Sequence, residues 1–149
     1  MKRRLALVLL ITALMPLGAR AQGGAALDAY QVDPLAGIYL CEGVNHDGAT
    51  YRAVVEIVAN GAAYELRWEM IGNPQRNVGI ALRQDDVLSV IFQTEAGSIG
   101  LSSYAIERAE KGVTLRGRWL VPGLAVISRE TMTKTAARSL DELRQQRGL

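Results

Sequence analysis

The chain has one cysteine, one histidine and one phenylalanine among 149 residues. A single cysteine excludes an internal disulfide framework. One His beside one Cys cannot complete a soft tetrahedral metal site. Any Ser-His-Asp triad would have to use His46, and no G-x-S-x-G elbow accompanies it. No P-loop and no dinucleotide fingerprint is present. Dense Lys/Arg blocks are also missing downstream of the N-terminus, so the electrostatic footprint of a nucleic-acid binder is absent. What the chain does have is apolar content (49%) with 21% charged residues, a composition that favours a packed core over disorder. Fifteen glycines point to many tight turns. The length suits one domain.

The N-terminus has the three parts of a secretory leader. Lys2, Arg3 and Arg4 form a positive start, Leu5 to Leu14 is apolar apart from Thr12, and Ala19-Arg20-Ala21 is a small-x-small cleavage triplet. Residues 1–21 are therefore expected to be a signal peptide. Its apolar run is too short to cross a ~30 Å hydrocarbon core comfortably. Cleavage takes Lys2, Arg3, Arg4 and Arg20 from seventeen basic residues, leaving thirteen against fifteen acids, net −2. The basic character thus belongs largely to the leader. A secreted or periplasmic bacterial protein is expected, with no membrane insertion after cleavage.

Residues 22–34, with Gly23-Gly24, look like a linker. From 35 to 133 the apolar residues recur with period two. Tyr51, Ala53, Val55 and Ile57 form one stripe, and Tyr64, Leu66, Trp68 and Met70 another. Val78, Ile80 and Leu82 form a third, followed by Leu88, Val90 and Phe92. Ile99 and Leu101 fall out of step with Tyr104 and Ile106, which predicts a bulge near Ser102-Ser103. Val113, Leu115, Trp119 and Val121 make a further stripe, and a last strand is expected over 125–133. Seven breakers separate these segments, among them Asn60-Gly61, Gly72-Asn73-Pro74 and Pro122-Gly123. Seven short turns imply eight antiparallel strands, counting one at Gly37–Gly43. The expected fold is an all-β, eight-stranded up-and-down barrel, with an open curled sheet or a sandwich as rivals. Gly79, Gly100 and Gly117 lie inside strands and read as bends where a small barrel curves. Over 134–149 helical spacing takes over, and Ser139 with Glu142 has capping-box spacing, so a short C-terminal helix is expected.

The stretch Gly37-Ile38-Tyr39-Leu40-Cys41-Glu42-Gly43-Val44-Asn45-His46-Asp47-Gly48-Ala49-Thr50-Tyr51, with Tyr64-x-Leu66-x-Trp68 and Gly79-Ile80, resembles a group of short exported bacterial proteins of unknown function. That resemblance implies a secreted β domain and brings no catalytic residues. A fainter similarity is to lipocalin-type barrels. There, Gly37-x-Tyr39 would stand for the first-strand motif, with Arg129 of the last strand over the Tyr39 ring.

Candidate chemistry is sparse. Cys41, Glu42, His46 and Asp47 are the only cluster of metal-capable side chains, and a buried Cys beside a turn His accounts for them better than an ion. Glu65 and Glu69, with Arg67 between them, read as a solvated face, and Asp85-Asp86 as turn chemistry. Arg67, Arg116 and Arg118 point outward if Trp68 and Trp119 point inward. No catalytic residue, metal ligand or cofactor is assigned. Tyr39, Tyr51, Tyr64, Trp68, Tyr104 and Trp119 are the candidate ligand-binding residues, alongside Phe92, because aromatic side chains at a barrel mouth suit an apolar pocket. The expected role is non-catalytic binding of a small apolar or amphipathic molecule, in a cavity of ~300 Å³ or more. The alternatives are an interaction module for an envelope protein, marked by an exposed apolar patch, and an unrecognised hydrolase.

Overall fold

The structure is a computed structural model that describes residues 33–110 and 112–148. The expected leader, its cleavage point and nearly all of the linker lie outside the described residues. Eight strands follow in order: β1 (Gly37–Val44), β2 (Thr50–Asn60), β3 (Ala63–Met70), β4 (Arg76–Gln84), β5 (Val87–Thr94), β6 (Ile99–Ala109), β7 (Gly112–Leu120) and β8 (Ser128–Lys134). A single helix, α1 (Leu140–Arg147), comes after them.

Each strand pairs antiparallel with the next. β1 also pairs with β8, from Tyr39 opposite Lys134 to Val44 opposite Arg129, so the barrel is closed. Closure leaves no sheet edge to aggregate. The up-and-down barrel expected from the turn spacing is the observed fold, and all seven turns fall where Gly, Asn and Asp mark them. Asp85, at φ +53, is a non-glycine residue with positive φ, a conformation Asp tolerates in a tight turn. The last strand starts later than expected, at Ser128, because residues 121–127 form a loop.

Two stripes face the opposite way from the sequence expectation. On β4, Val78, Ile80 and Leu82 point outward, while Asn77, Gly79 and Ala81 face the interior. Trp68 on β3 and Val90 on β5 cover that stretch of wall. A Cβ at Gly79 would stand 3.2 Å from the Trp68 ring and 3.1 Å from Val90. On β6, Ile99 and Leu101 point outward, and Gly100, Ser102, Tyr104 and Ile106 share the inner face. The parity is unbroken, so the bulge expected at Ser102-Ser103 does not exist.

The reason is volume. Eight strands enclose just enough space for side chains, so large inward residues need small ones opposite. Three rings lie across a glycine directly opposite on a neighbouring strand: Tyr51 across Gly43, Phe92 across Gly100 and Tyr104 across Gly117. A Cβ at any of these glycines would overlap the ring. The in-strand glycines thus make room for aromatic side chains, a role beyond the bends expected of them.

The outward apolar residues leave a stripe across β4, β5 and β6. Val78, Ile80, Leu82, Ile91, Ile99 and Leu101 are 51–65% exposed. On the other side of the barrel α1 covers the outside of β1 and β2. Its Leu143 packs with Ile38, Val54 and Ala137 in a second small core. The Ser139 hydroxyl accepts from the Glu142 N–H at 3.2 Å, and the Glu142 carboxylate accepts from the Arg138 N–H at 2.7 Å. Capping of this kind contributes about 1 kcal/mol. Among the described residues no helix is long and apolar enough to cross a membrane.

Gly117→Ala drives a methyl group into the Tyr104 ring. It is expected to cost about 1–3 kcal/mol, as overpacked cores do, read as a lower urea midpoint.

Candidate functional site

The two ends of the barrel differ. At one end lie the two-residue turns at 61–62 and 85–86 and the connection from β6 to β7. Leu35, fully buried, closes this end. The Tyr39 hydroxyl donates to the Leu35 carbonyl at 2.8 Å, and the Tyr64 hydroxyl donates to Asp33 Oδ2 at 2.7 Å. Asp33 Oδ1 accepts from the Leu35 N–H at 2.8 Å. Tyr39 and Tyr64, two of the six candidate ligand residues, therefore belong to a plug and do not line the cavity. Both rings face inward as expected, but their hydroxyls serve the segment that folds across the barrel floor. Asp33 and Pro34, assigned to the linker from sequence, take part in that plug. Arg129 does not cover Tyr39. It is exposed, opposite Val44. Lys134 lies opposite Tyr39 instead and donates to the Pro34 carbonyl at 2.7 Å.

At the other end the loops are longer, at 45–49, 71–75, 95–98 and 121–127. They surround a cavity of about 540 Å³. Tyr51, Trp68, Tyr104 and Trp119 line it, which places the remaining four candidates together, and Phe92, Met70 and Val121 join them. Four of the rings run in a chain. Trp68 and Phe92 have centroids 6.3 Å apart, Phe92 and Trp119 6.0 Å, and Trp119 and Tyr51 6.4 Å. Tilted and edge-to-face contacts of this kind suit aromatic quadrupoles.

The inner wall of this cavity holds an acid that the sequence reading passed over. Glu130 is 6% exposed and projects inward from β8. Its ladder partners are Gly43 on β1 and Gly117 on β7. Both glycines are spanned by tyrosine rings, so the glycine pairing brings two hydroxyls to one carboxylate. Tyr104 donates to Oε1. Tyr51 donates to Oε2 at 2.5 Å, and the Cys41 thiol donates to the same oxygen at 3.3 Å. Trp119 Nε1 in turn donates to the Tyr51 hydroxyl at 2.9 Å. Among the described residues no Lys or Arg forms an ion pair with Glu130.

Burial, and after it the charge of Glu130, push the Tyr51 and Tyr104 phenols and the Cys41 thiol upward from their ordinary pKa values. All three stay protonated and remain donors. Asn77 Oδ1 and the Ser102 and Ser128 hydroxyls are buried without a hydrogen-bond partner among the described residues. Asn77 lines the cavity. Ser102 and Ser128 flank Trp119 in the ladder.

The sequence cluster Cys41, Glu42, His46 and Asp47 is not brought together. Cys41 is interior, Glu42 is exposed on the outer face, and His46 and Asp47 are exposed in the rim turn. Among the described residues no group of three His, Cys, Asp or Glu side chains is placed to hold a metal ion. Glu69 pairs with Arg76 and Arg144, and Asp86 with Arg108, all on the outside. Arg67, Arg116 and Arg118 are exposed, as expected from the inward tryptophans.

No protein-family model and no curated protein sequence matches the chain. Among solved structures, two redesigned β-barrels are similar. One has 12% identity and a TM-score of 0.56, over 68% of this chain and 91% of its own. The other, mFAP1 bound to DFHBI, has 14% identity and a TM-score of 0.55, over 67% of this chain and 94% of its own. At such identities the likeness is one of fold, and it agrees with the closed barrel described above.

Tyr104→Phe removes the donor to Glu130 Oε1 and leaves that buried oxygen short of a partner. A loss of about 1–3 kcal/mol in urea unfolding at neutral pH is expected. Alkaline titration tests the same network. Below about pH 8 the unfolded chain keeps these phenols and the Cys41 thiol protonated, as the native protein does, and the network contributes its full stability. Above about pH 8.5 the unfolded chain releases the thiol proton, and above about pH 10 the phenolic protons, that the native protein retains, so stability falls as pH rises. Burial pushes the Tyr39 phenol up as well, so the tyrosinate absorbance of Tyr39, Tyr51 and Tyr104 should appear together with loss of the folded circular-dichroism signal.

Proposed function

We propose that the protein is an exported, non-catalytic barrel that binds a small apolar or amphipathic molecule at its open end. One observation carries this reading: the barrel is packed at one end and hollow at the other, and the hollow end is walled by Trp68, Phe92 and Trp119. A cavity of about 540 Å³ lies within the usual range for small-molecule sites. That mFAP1, a barrel of similar fold, is bound to DFHBI supports the choice. Export rests on the leader pattern of residues 1–21, and membership of the exported bacterial group rests on the Gly37 to Tyr51 stretch.

Both tryptophans of the chain line the cavity, so intrinsic fluorescence reports the site directly. An uncharged naphthalene probe is expected to quench that emission saturably. Met70→Trp, which fills space near the mouth, should abolish the probe's own fluorescence gain while far-UV circular dichroism is retained. Absence of saturable binding to the wild-type protein would sink the reading.

A second reading, a module docking another envelope protein, is favoured by the stripe from Val78 to Leu101. Residues with this much exposed apolar surface in one place commonly meet a partner. Recovery of a specific envelope protein by wild-type bait, and not by an Ile80→Lys/Ile91→Lys double variant, would support it.

A further inference from the structure

We infer that the ligand of the open end carries a cationic group, an amine or ammonium on an apolar body, which enters first and settles beside Glu130. This rests on the reading of the cavity as a binding site and narrows the chemistry of what it takes.

The donors around Glu130 are already committed. The Tyr104 and Tyr51 hydroxyls point to Glu130, and Trp119 Nε1 points to Tyr51. An incoming molecule therefore meets ring faces and the Glu130 carboxylate. Both attract positive charge or hydrogen-bond donors, so the ligand must bring the protons. A carboxylate has about four lone-pair sites, and three donors occupy three of them. Neutral phenols and a thiol solvate the charge of Glu130 without cancelling it.

The aromatic wall adds to the same preference. A cation within ~6 Å of a ring centroid is drawn to the negative face of the ring. Trp68, Phe92 and Trp119 all line the cavity, in mutual contact at centroid spacings of 6.0–6.3 Å. An anionic ligand would face Glu130 and find no cation beside it. Arg52, the arginine lining the cavity, is exposed at the rim and held toward Glu42 at 3.8 Å. His46 is exposed in the rim turn. Desolvating a cation is costly, and an ion pair with a buried carboxylate that is already hydrogen-bonded is the arrangement that offsets the cost.

The test uses three probes of one shape: naphthylmethylammonium, naphthylmethanol and naphthoate, titrated calorimetrically into the wild-type protein at neutral pH. The ammonium is expected to bind about tenfold or more tighter than the alcohol, and naphthoate weakest. In Glu130→Gln the ammonium should lose that advantage while the alcohol binds as before. Intermolecular NOEs in the wild-type protein, from the ammonium CH2 to the rings of Tyr104 and Trp119, should show the head inward, whether or not the variant folds. If the alcohol or naphthoate binds as tightly as the ammonium, or if the naphthalene end lies inward, the charge preference is wrong and the cavity reading stands. If none of the three binds, the cavity reading itself fails and takes this inference with it.

Discussion

Interior volume governs this molecule. Eight strands leave little room inside, so three of the large rings are matched by an absence across the ladder. Gly43, Gly100 and Gly117 supply those absences opposite Tyr51, Phe92 and Tyr104. The same matching sends the bulky residues of β4 outward, since Trp68 and Val90 already occupy the space beneath Gly79. The outer apolar stripe and the inner aromatic wall are thus two results of one packing problem.

The matching also fixes the chemistry of the cavity. Glu130 sits between two glycines on neighbouring strands, and the rings that span those glycines end in hydroxyls. A buried carboxylate without partners would be strongly unfavourable. Here its partners arrive through the packing, with Cys41 from the same face of β1 completing the set. Deep donors are consumed in the process, and acceptors and ring faces remain.

The parts of the fold fixed by local chemistry were legible in the sequence. Asn-Gly and its relatives marked all seven turns, the count of strands followed, and the closure that removes edges was inferred correctly. Ser139 and Glu142 announced the helix start. Less visible was anything set by neighbours across the ladder. Val78, Ile80 and Leu82 look like a core stripe until Trp68 and Val90 are seen to fill that volume. Ile99 and Leu101 imply a bulge only if apolar residues face inward, and here they face out. Of the aromatic candidates, Tyr51, Trp68, Tyr104 and Trp119 reached the cavity, whereas Tyr39 and Tyr64 went to the plug, a distinction that depends on which end of each strand they occupy. Glu130 was missed, although it alternates with Ser128 and Met132 on one face of β8, and a lone acid on an inward face is a usable signal.

The start of β1, the end of β8, the Asp33–Leu35 plug and the connection into α1 all gather at the packed end. The mouth is built only from four hairpin loops, none of which carries the ring closure. The rim that guards entry and the ladder that closes the barrel therefore lie in different stretches of chain, while Glu130 and the rings beneath the rim belong to the ladder itself. Mutations in residues 45–49, 71–75, 95–98 or 121–127 can alter what enters without disturbing how the cylinder closes. Such a division lets the rim diverge while the closure of the barrel is inherited intact.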